Sequence, residues 1–270
     1  MEPLIITVAG VGAEITKDQQ PGLPTTPDEL ALDATRCAEA GASIYHLHVR
    51  DERGRPTMDV QAFREAHAAI TSAGDLIVQF TSGGAVTDRE EARIAPLELR
   101  PEMASLTTGT VNFGDDVFSN PMPLVRRFYA RMRTLGIVPE FEIFEAGMIA
   151  NAVTIAAEGD GHHQHFDLVL GVPGAMPAWS DSLEFLVEHL PEGATWSATG
   201  IGRSHLPVTE RAIELGGHVR TGFEDVRYFG PGELASSNAQ LISRVACLAR
   251  ARGREIATPG EARAHLGLAE

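Results

Sequence analysis

A short apolar run, a loop marked by glycine or proline, and an amphipathic stretch recur in that order along the chain. The runs are Leu4–Ala9, Ser43–Val49, Leu76–Thr81, Met103–Thr107, Val138–Ile143, Asp167–Leu170, Thr195–Thr199 and Gly217–Thr221. Too short for helices and rich in β-branched residues, they read as strands buried on both faces. Pro27 follows Thr26 at a favoured first helical position and opens a helix over Asp28–Ala40, which Gly41 ends. Val60–Ser72, Asp88–Leu97, Pro123–Leu135, Gly147–Glu158, Asp181–His189 and Thr209–Leu215 follow the same logic, and a C-terminal tail helix, Ser237–Arg252, closes the pattern. Strands alternating with helices over 270 residues predict one α/β domain, 1–270, built as a (β/α)₈ TIM barrel. A doubly wound open sheet is the alternative, because counting strands does not establish closure.

The formal charge of −15 speaks against nucleic acid and against anionic lipid, which would repel the chain. Two cysteines, Cys37 and Cys247, are too few for a disulfide framework or a cysteine zinc site, and both fall in helical stretches as small buried hydrophobes. The opening MEPLIITVAG lacks the basic start and long apolar stretch of a signal peptide, and no window suits a membrane span. The expectation is a cytoplasmic protein.

A barrel gathers its chemistry at the C-terminal ends of the strands, and polar residues recur there. Glu14 lies in the first such loop. The second run ends in Tyr-His-Leu-His-Val-Arg-Asp, so His46 and His48 point to the same side of a strand, about 6–7 Å apart along it. Imidazoles at that spacing converge on one metal ion, and imidazole suits zinc; two core histidines are the alternative. The third run ends in Ser82-Gly83-Gly84, offering a hydroxyl and unhindered backbone N–H groups, or simply a tight turn. Ser105 and Thr107 share one face of the fourth run, and Glu140 and Glu142 share one face of the fifth, where carboxylates are costly unless paired or functional. The eighth run brings Arg220, Glu224 and Asp225. Glu224 completes a His₂Glu set from neighbouring strands, an arrangement that leaves a zinc position open to substrate. Arg220 beside Asp225 forms an ion pair expected to lower the pKa of the carboxylate and orient it as a base, against the alternative of a surface salt bridge.

Two patterns are decoys. Gly-His-His-Gln-His at 161–165 has metal-binding composition but precedes the sixth strand, on the face where catalysis is rare, and reads as a solvated loop. Gly10-Val-Gly12 lacks the third glycine of a dinucleotide fingerprint.

Taken together, these blocks resemble the β-keto acid cleavage enzymes over nearly the whole chain. The likeness rests on ITVAGVGAEITK, GASIYHLHVRDERGRPTMD, QFTSGG, MASLTTGTVNFGD, PEFEIFEAGMI, LVLGVPGAMPA, GRSHLPVTERAIELGGHVRTGFED and SNAQLISRVACLAR. The resemblance implies a zinc-dependent enzyme that condenses a β-keto acid with acetyl-CoA to give acetoacetate and a new acyl-CoA. In that scheme His46, His48 and Glu224 hold zinc, which binds the keto oxygen and carboxylate of the substrate. Asp225, positioned by Arg220, removes the proton between the two carbonyls. Ser82 and Ser105 match residues that anchor the substrate carboxylate, with Gly83 and Gly84 lending backbone donors, while Glu14 and Glu142 match other pocket carboxylates that assist proton transfer. The resemblance further implies a homotetramer, with Met176, Pro177 and Trp179 as contact candidates, and Arg126, Arg127, Arg131 and Arg203 are candidates for the CoA phosphates.

Two positions depart from the family pattern. Val226 stands where asparagine is expected after the Glu-Asp pair, and Thr107 competes with Ser105 as the functional hydroxyl. The competing enzyme class is a metal-dependent amidohydrolase, whose barrel also carries a His-x-His pair but usually needs further histidines after strands five and six and an aspartate at strand eight; strands five and six end here in Glu142 and Leu170. A barrel kept only for binding is the non-enzymatic alternative; it predicts a broken triad.

Overall fold

The computed structural model describes residues 2–159 and 163–268. Eight parallel strands close on themselves: β1 Ile6–Ala9, β2 Ile44–Leu47, β3 Ile77–Phe80, β4 Met103–Thr107, β5 Val138–Ile143, β6 His165–Leu170, β7 Thr195–Gly200 and β8 His218–Thr221. Each pairs with its sequence neighbours, and β1 pairs with both β2 and β8, so the open-sheet alternative falls. The outer ring comprises α1 Pro27–Ala40, α2 Val60–Ala73, α3 Glu90–Ile94, α4 Met122–Leu135, α5 Gly147–Ala157, α6 Ser182–Glu188, α7 His205–Leu215 and α8 Asn238–Ala251. Thr26 caps α1 in a reciprocal box with Glu29, and Gly41 ends it in the left-handed conformation that a side chain would resist.

Three expectations need correction here. The stretch over Asp88–Leu97 breaks after Ile94 into a tighter turn over Ala95–Leu99, because Pro96 has no N–H to continue the α-helical ladder. The chain also does not close with Ser237–Arg252. That segment is the eighth ring helix, packed on α1, and α9, Pro259–Leu266, follows it. Leu266 and Ala262 of α9 pack with Ile5, Ile44, Ile77 and Met103, residues at the starts of the first four strands, and plug the bottom of the barrel. Finally, Cys37 is buried but Cys247 is exposed, since its face of α8 turns to solvent.

The apolar core lies between strands and helices, whereas the barrel interior is polar. Strand registry sets Ser105 beside Glu140 and Glu140 beside His165; one layer higher, Thr107, Glu142 and Asp167 form a row. Among the described residues no helix is long and apolar enough to cross a membrane.

Candidate active site

The upper layer of that polar interior opens into a cavity of ≈ 280 Å³ at the C-terminal ends of the strands. Glu14, His48, Gly83, Gly84, Glu142, Arg220, Glu224 and Asp225 line it, with Phe113, Phe118 and Phe144 forming an apolar wall. The expected metal ligands do converge. The ligand atoms of His46, His48 and Glu224 all lie within 4.8 Å of one another. Glu224 Oε1 is 3.9 Å from His46 Nε2 and 3.6 Å from His48 Nε2.

Close packing produces this convergence. Ala9 pairs with His46 across the β1–β2 register, and the Glu224 amide donates to the Ala9 carbonyl at 3.1 Å. Gly222 permits the approach, since a Cβ there would sit 2.1 Å from the Ala9 oxygen. Burial holds both imidazoles neutral, with His48 pushed down to about 3. Neutral imidazole is the ligating form. His46 Nδ1 meets Gln79 Oε1 at 2.5 Å, which places the ring proton on Nδ1 and frees Nε2. Burial works against the Glu224 charge, but the Arg220 guanidinium holds it down at about 2. Glu224 Oε2 is buried without a hydrogen-bond partner among the described residues. Two neutral imidazoles, an ionised carboxylate and an orphaned oxygen fit a divalent cation such as zinc.

Arg220 is the hub. It donates to Glu224 at 2.6 Å, to Asp225 at 2.9 and 3.2 Å, and to Glu142 at 3.4 Å, and it stays charged among them. The expected lowering of the Asp225 pKa is wrong. Burial raises it to about 7, with Glu224 adding to the rise and Arg220 only opposing it. Burial likewise lifts Glu142 to about 7. Below them Asp167, lifted by burial to about 6, accepts from Ser197 and Thr199. A carboxylate poised near neutrality suits proton transfer better than a strongly acidic one.

The other expected residues divide. Thr107 donates to Glu142 at 2.7 Å, whereas Ser105, at 0% exposure, accepts from the Ser82 amide. Ser82 is itself buried, and Thr81, Gly83 and Gly84 present the third loop to the cavity. Glu140 lies beneath the cavity, 3.2 Å from His165. His165 is therefore not part of a solvated loop: it begins β6 and is buried, His163 is half-buried, and positions 161 and 162 lie outside the described residues. Val226 packs with Leu23, Phe223 and Leu241 under the last loop. Arg126, Arg127 and Arg131 sit on α4 and are engaged by Glu158, Glu90 and Glu98.

Several positioning residues escape sequence reasoning. Gln79 orients His46. Arg50 donates to the Gly12 and Ile15 carbonyls at 2.7 and 2.9 Å, fixing the first loop, and Arg93 fixes the third through the Ser82 carbonyl at 2.8 Å. Asn238 accepts from the Phe223 amide and donates to the Gly10 carbonyl. An arginine in a strand-rich block is the only sequence signal for Arg50, since its partners are carbonyls that sequence does not label.

The (β/α)₈ barrel thus places a His₂Glu cluster that could hold a metal ion beside an arginine-held carboxylate, at the strand ends where barrel enzymes carry their active sites. The chain belongs to the beta-keto acid cleavage enzyme family, whose sequence profile matches residues 3–268. It is 46% identical to the 3-keto-5-aminohexanoate cleavage enzyme of Fusobacterium nucleatum, over 99% of each chain. It is 40% identical to the 3-oxoadipate:acetyl-CoA acetyltransferase of Cupriavidus necator, over 99% of this chain and 95% of the relative. Among solved structures it is similar in fold to ObcA in its ternary complex with a C4-CoA adduct and oxalate, with TM-score 0.78 and 20% identity, over 92% of this chain and 68% of that one. The amidohydrolase alternative finds no support: β5 and β6 end in Ile143 and Leu170, and these relatives are cleavage and acetyl-transfer enzymes.

Proposed function

We propose that the protein is a zinc-dependent enzyme that transfers acyl groups between a β-keto acid and acetyl-CoA, with 1–270 working as one catalytic unit. The observation that carries this reading is the pairing, in one cavity, of the His46–His48–Glu224 cluster with Asp225, which Arg220 holds through two hydrogen bonds. His46, His48 and Glu224 would hold the zinc ion, which would supply Lewis-acid chemistry for the keto oxygen.

Asp225 takes a proton from C2 of the β-keto acid, and Arg220, charged throughout, fixes the direction from which it does so. Gly84 brings a backbone N–H toward the substrate carboxylate, the Gly83 N–H being engaged by the Thr81 hydroxyl at 2.9 Å, and the buried Ser82 and Ser105 support that loop. The C2 carbanion forms a bond to the acetyl carbonyl carbon as the carbon–sulfur bond breaks and CoA leaves as thiolate. The thiolate then bonds to the original keto carbon, and the bond between that carbon and C2 breaks. Asp225 returns its proton to C2, so acetoacetate and a new acyl-CoA leave with atoms and charge balanced. Glu142, sharing Arg220 with Asp225 and held by Thr107, and Glu14 at the cavity mouth assist proton movement.

The same reading carries a cytoplasmic homotetramer with Met176, Pro177 and Trp179 at a contact, supported by the 68% exposure of Trp179. A panel of β-keto acids with acetyl-CoA tests the reaction: acetoacetate release identifies the substrate, and silence across the panel refutes the reading. Metal analysis of His46→Ala protein is expected to show lost zinc. Light scattering on wild type and Trp179→Ala reads the oligomer.

A further inference from the structure

A second depression continues from the cavity. This groove of ≈ 970 Å³ shares Ile15, Ile201, Glu224 and Asp225 with it, then runs between the start of α7 and the hairpin formed by Tyr228–Gly230 and Glu233–Leu234. Its electrostatics oppose those of the molecule. The chain carries 37 acidic against 22 basic residues, and the α4 arginines are engaged by glutamates. Arg203, Arg227 and Arg244 nevertheless line one groove, and none is paired with a carboxylate among the described residues.

The three differ in how they are engaged. Arg244 is pinned by the Phe229 carbonyl and stacks on the Phe229 ring at 4.4 Å. Arg203 is exposed on the turn that enters α7. Arg227 lies 5.7 Å from the Tyr228 ring, which is 45% exposed. Unpaired guanidiniums in a protein of this charge are matched to a polyanion, because each binds phosphate oxygens through a two-pronged fork. An exposed tyrosine with an arginine over it is a stacking platform for a purine.

We propose that this groove seats the CoA portion of the thioester. The acetyl group reaches Asp225 at the inner end, the pantetheine arm follows the channel past Ile201 and Phe229, the phosphates meet Arg203 and Arg227, and the adenine stacks on Tyr228. This rests on the acyl-transfer reading above, whose thioester must touch the cavity while its nucleotide stays outside.

Calorimetry with CoA and with pantetheine, which lacks the nucleotide, tests the assignment. Arg203→Ala/Arg227→Ala is expected to bind CoA about tenfold or more weakly, with its affinity for pantetheine at the wild-type value. Arg126→Ala, on α4, is expected to keep wild-type CoA affinity. Both groove arginines lack carboxylate partners, so melting curves should coincide with wild type. Equal CoA affinity in wild type and the double variant would overturn the proposal. So would a parallel loss of pantetheine binding, or a changed oligomeric state at unchanged CoA affinity, which would assign the groove to a second copy of the chain. Failure of the reaction itself reads differently: wild-type protein would release no acetoacetate while CoA binding still depended on Arg203 and Arg227.

Discussion

Arg220 grips Asp225 through two parallel hydrogen bonds, Nε to Oδ2 at 3.2 Å and Nη2 to Oδ1 at 2.9 Å. A fork of this kind fixes both the position and the plane of the carboxylate, which a point charge does not. Asp225→Asn keeps the shape and removes the base. Its kcat is expected to fall about 10²–10⁴-fold, with metal content unchanged. Arg220→Lys keeps a charge and loses the fork, so kcat should fall while the KM for the β-keto acid moves less. Wild-type kcat in Asp225→Asn would remove it from proton transfer.

Among the described residues, Gln79 reaches the His46–His48–Glu224 cluster through its hydrogen bond with His46. Gln79→Ala is expected to weaken zinc binding about 10- to 100-fold by freeing the ring to rotate and lose its tautomer. Competition against a chelating dye reads this directly, and an unchanged affinity would show that packing alone orients His46.

Gly222 is where the closing strand meets the first. Gly222→Ala forces a Cβ to within 2.5 Å of the Ala9 carbonyl carbon, and the strands must separate. The expected cost is about 1–3 kcal/mol of stability together with weakened metal binding, because Glu224 is carried on the same turn. Thermal melting and metal analysis of the variant check both; a wild-type Tm would refute the crowding argument.

Asp33 offers a pH test away from the metal cluster. It accepts from Tyr45 and Asn238, and burial raises its pKa from 3.8 to about 6. Between those values the folded protein holds a proton that the unfolded chain has released. This residue therefore favours folding most below pH 4 and loses that advantage as pH rises through about 6, a swing of about 3 kcal/mol. Asp33→Asn should flatten the wild-type decline in Tm over that interval, and parallel curves would place the titration elsewhere.

Repeating apolar runs and glycine stops were enough to read eight strands, most helix boundaries and the barrel, because strand and helix periodicity is local. His46 and His48 were legible for the same reason: two residues apart on a strand, they must share a face. Glu224 could be added because strand order makes β8 a neighbour of β1. The Thr258–Pro259–Glu261 capping signal of α9 was also present locally, but its apolar face makes sense only against the starts of four strands far away in sequence. What sequence could not reach depends on long-range burial and on backbone partners. The sign of the Asp225 shift turned on desolvation outweighing an adjacent arginine, a balance set by the surrounding walls. Gln79, Arg50 and Asn238 act on atoms dozens of residues away. Residue types and their spacing determined that a metal cluster and a base could exist; tertiary packing decided their protonation, their orientation and the groove that leads to them, because burial and distance belong to the closed barrel and not to any stretch of chain.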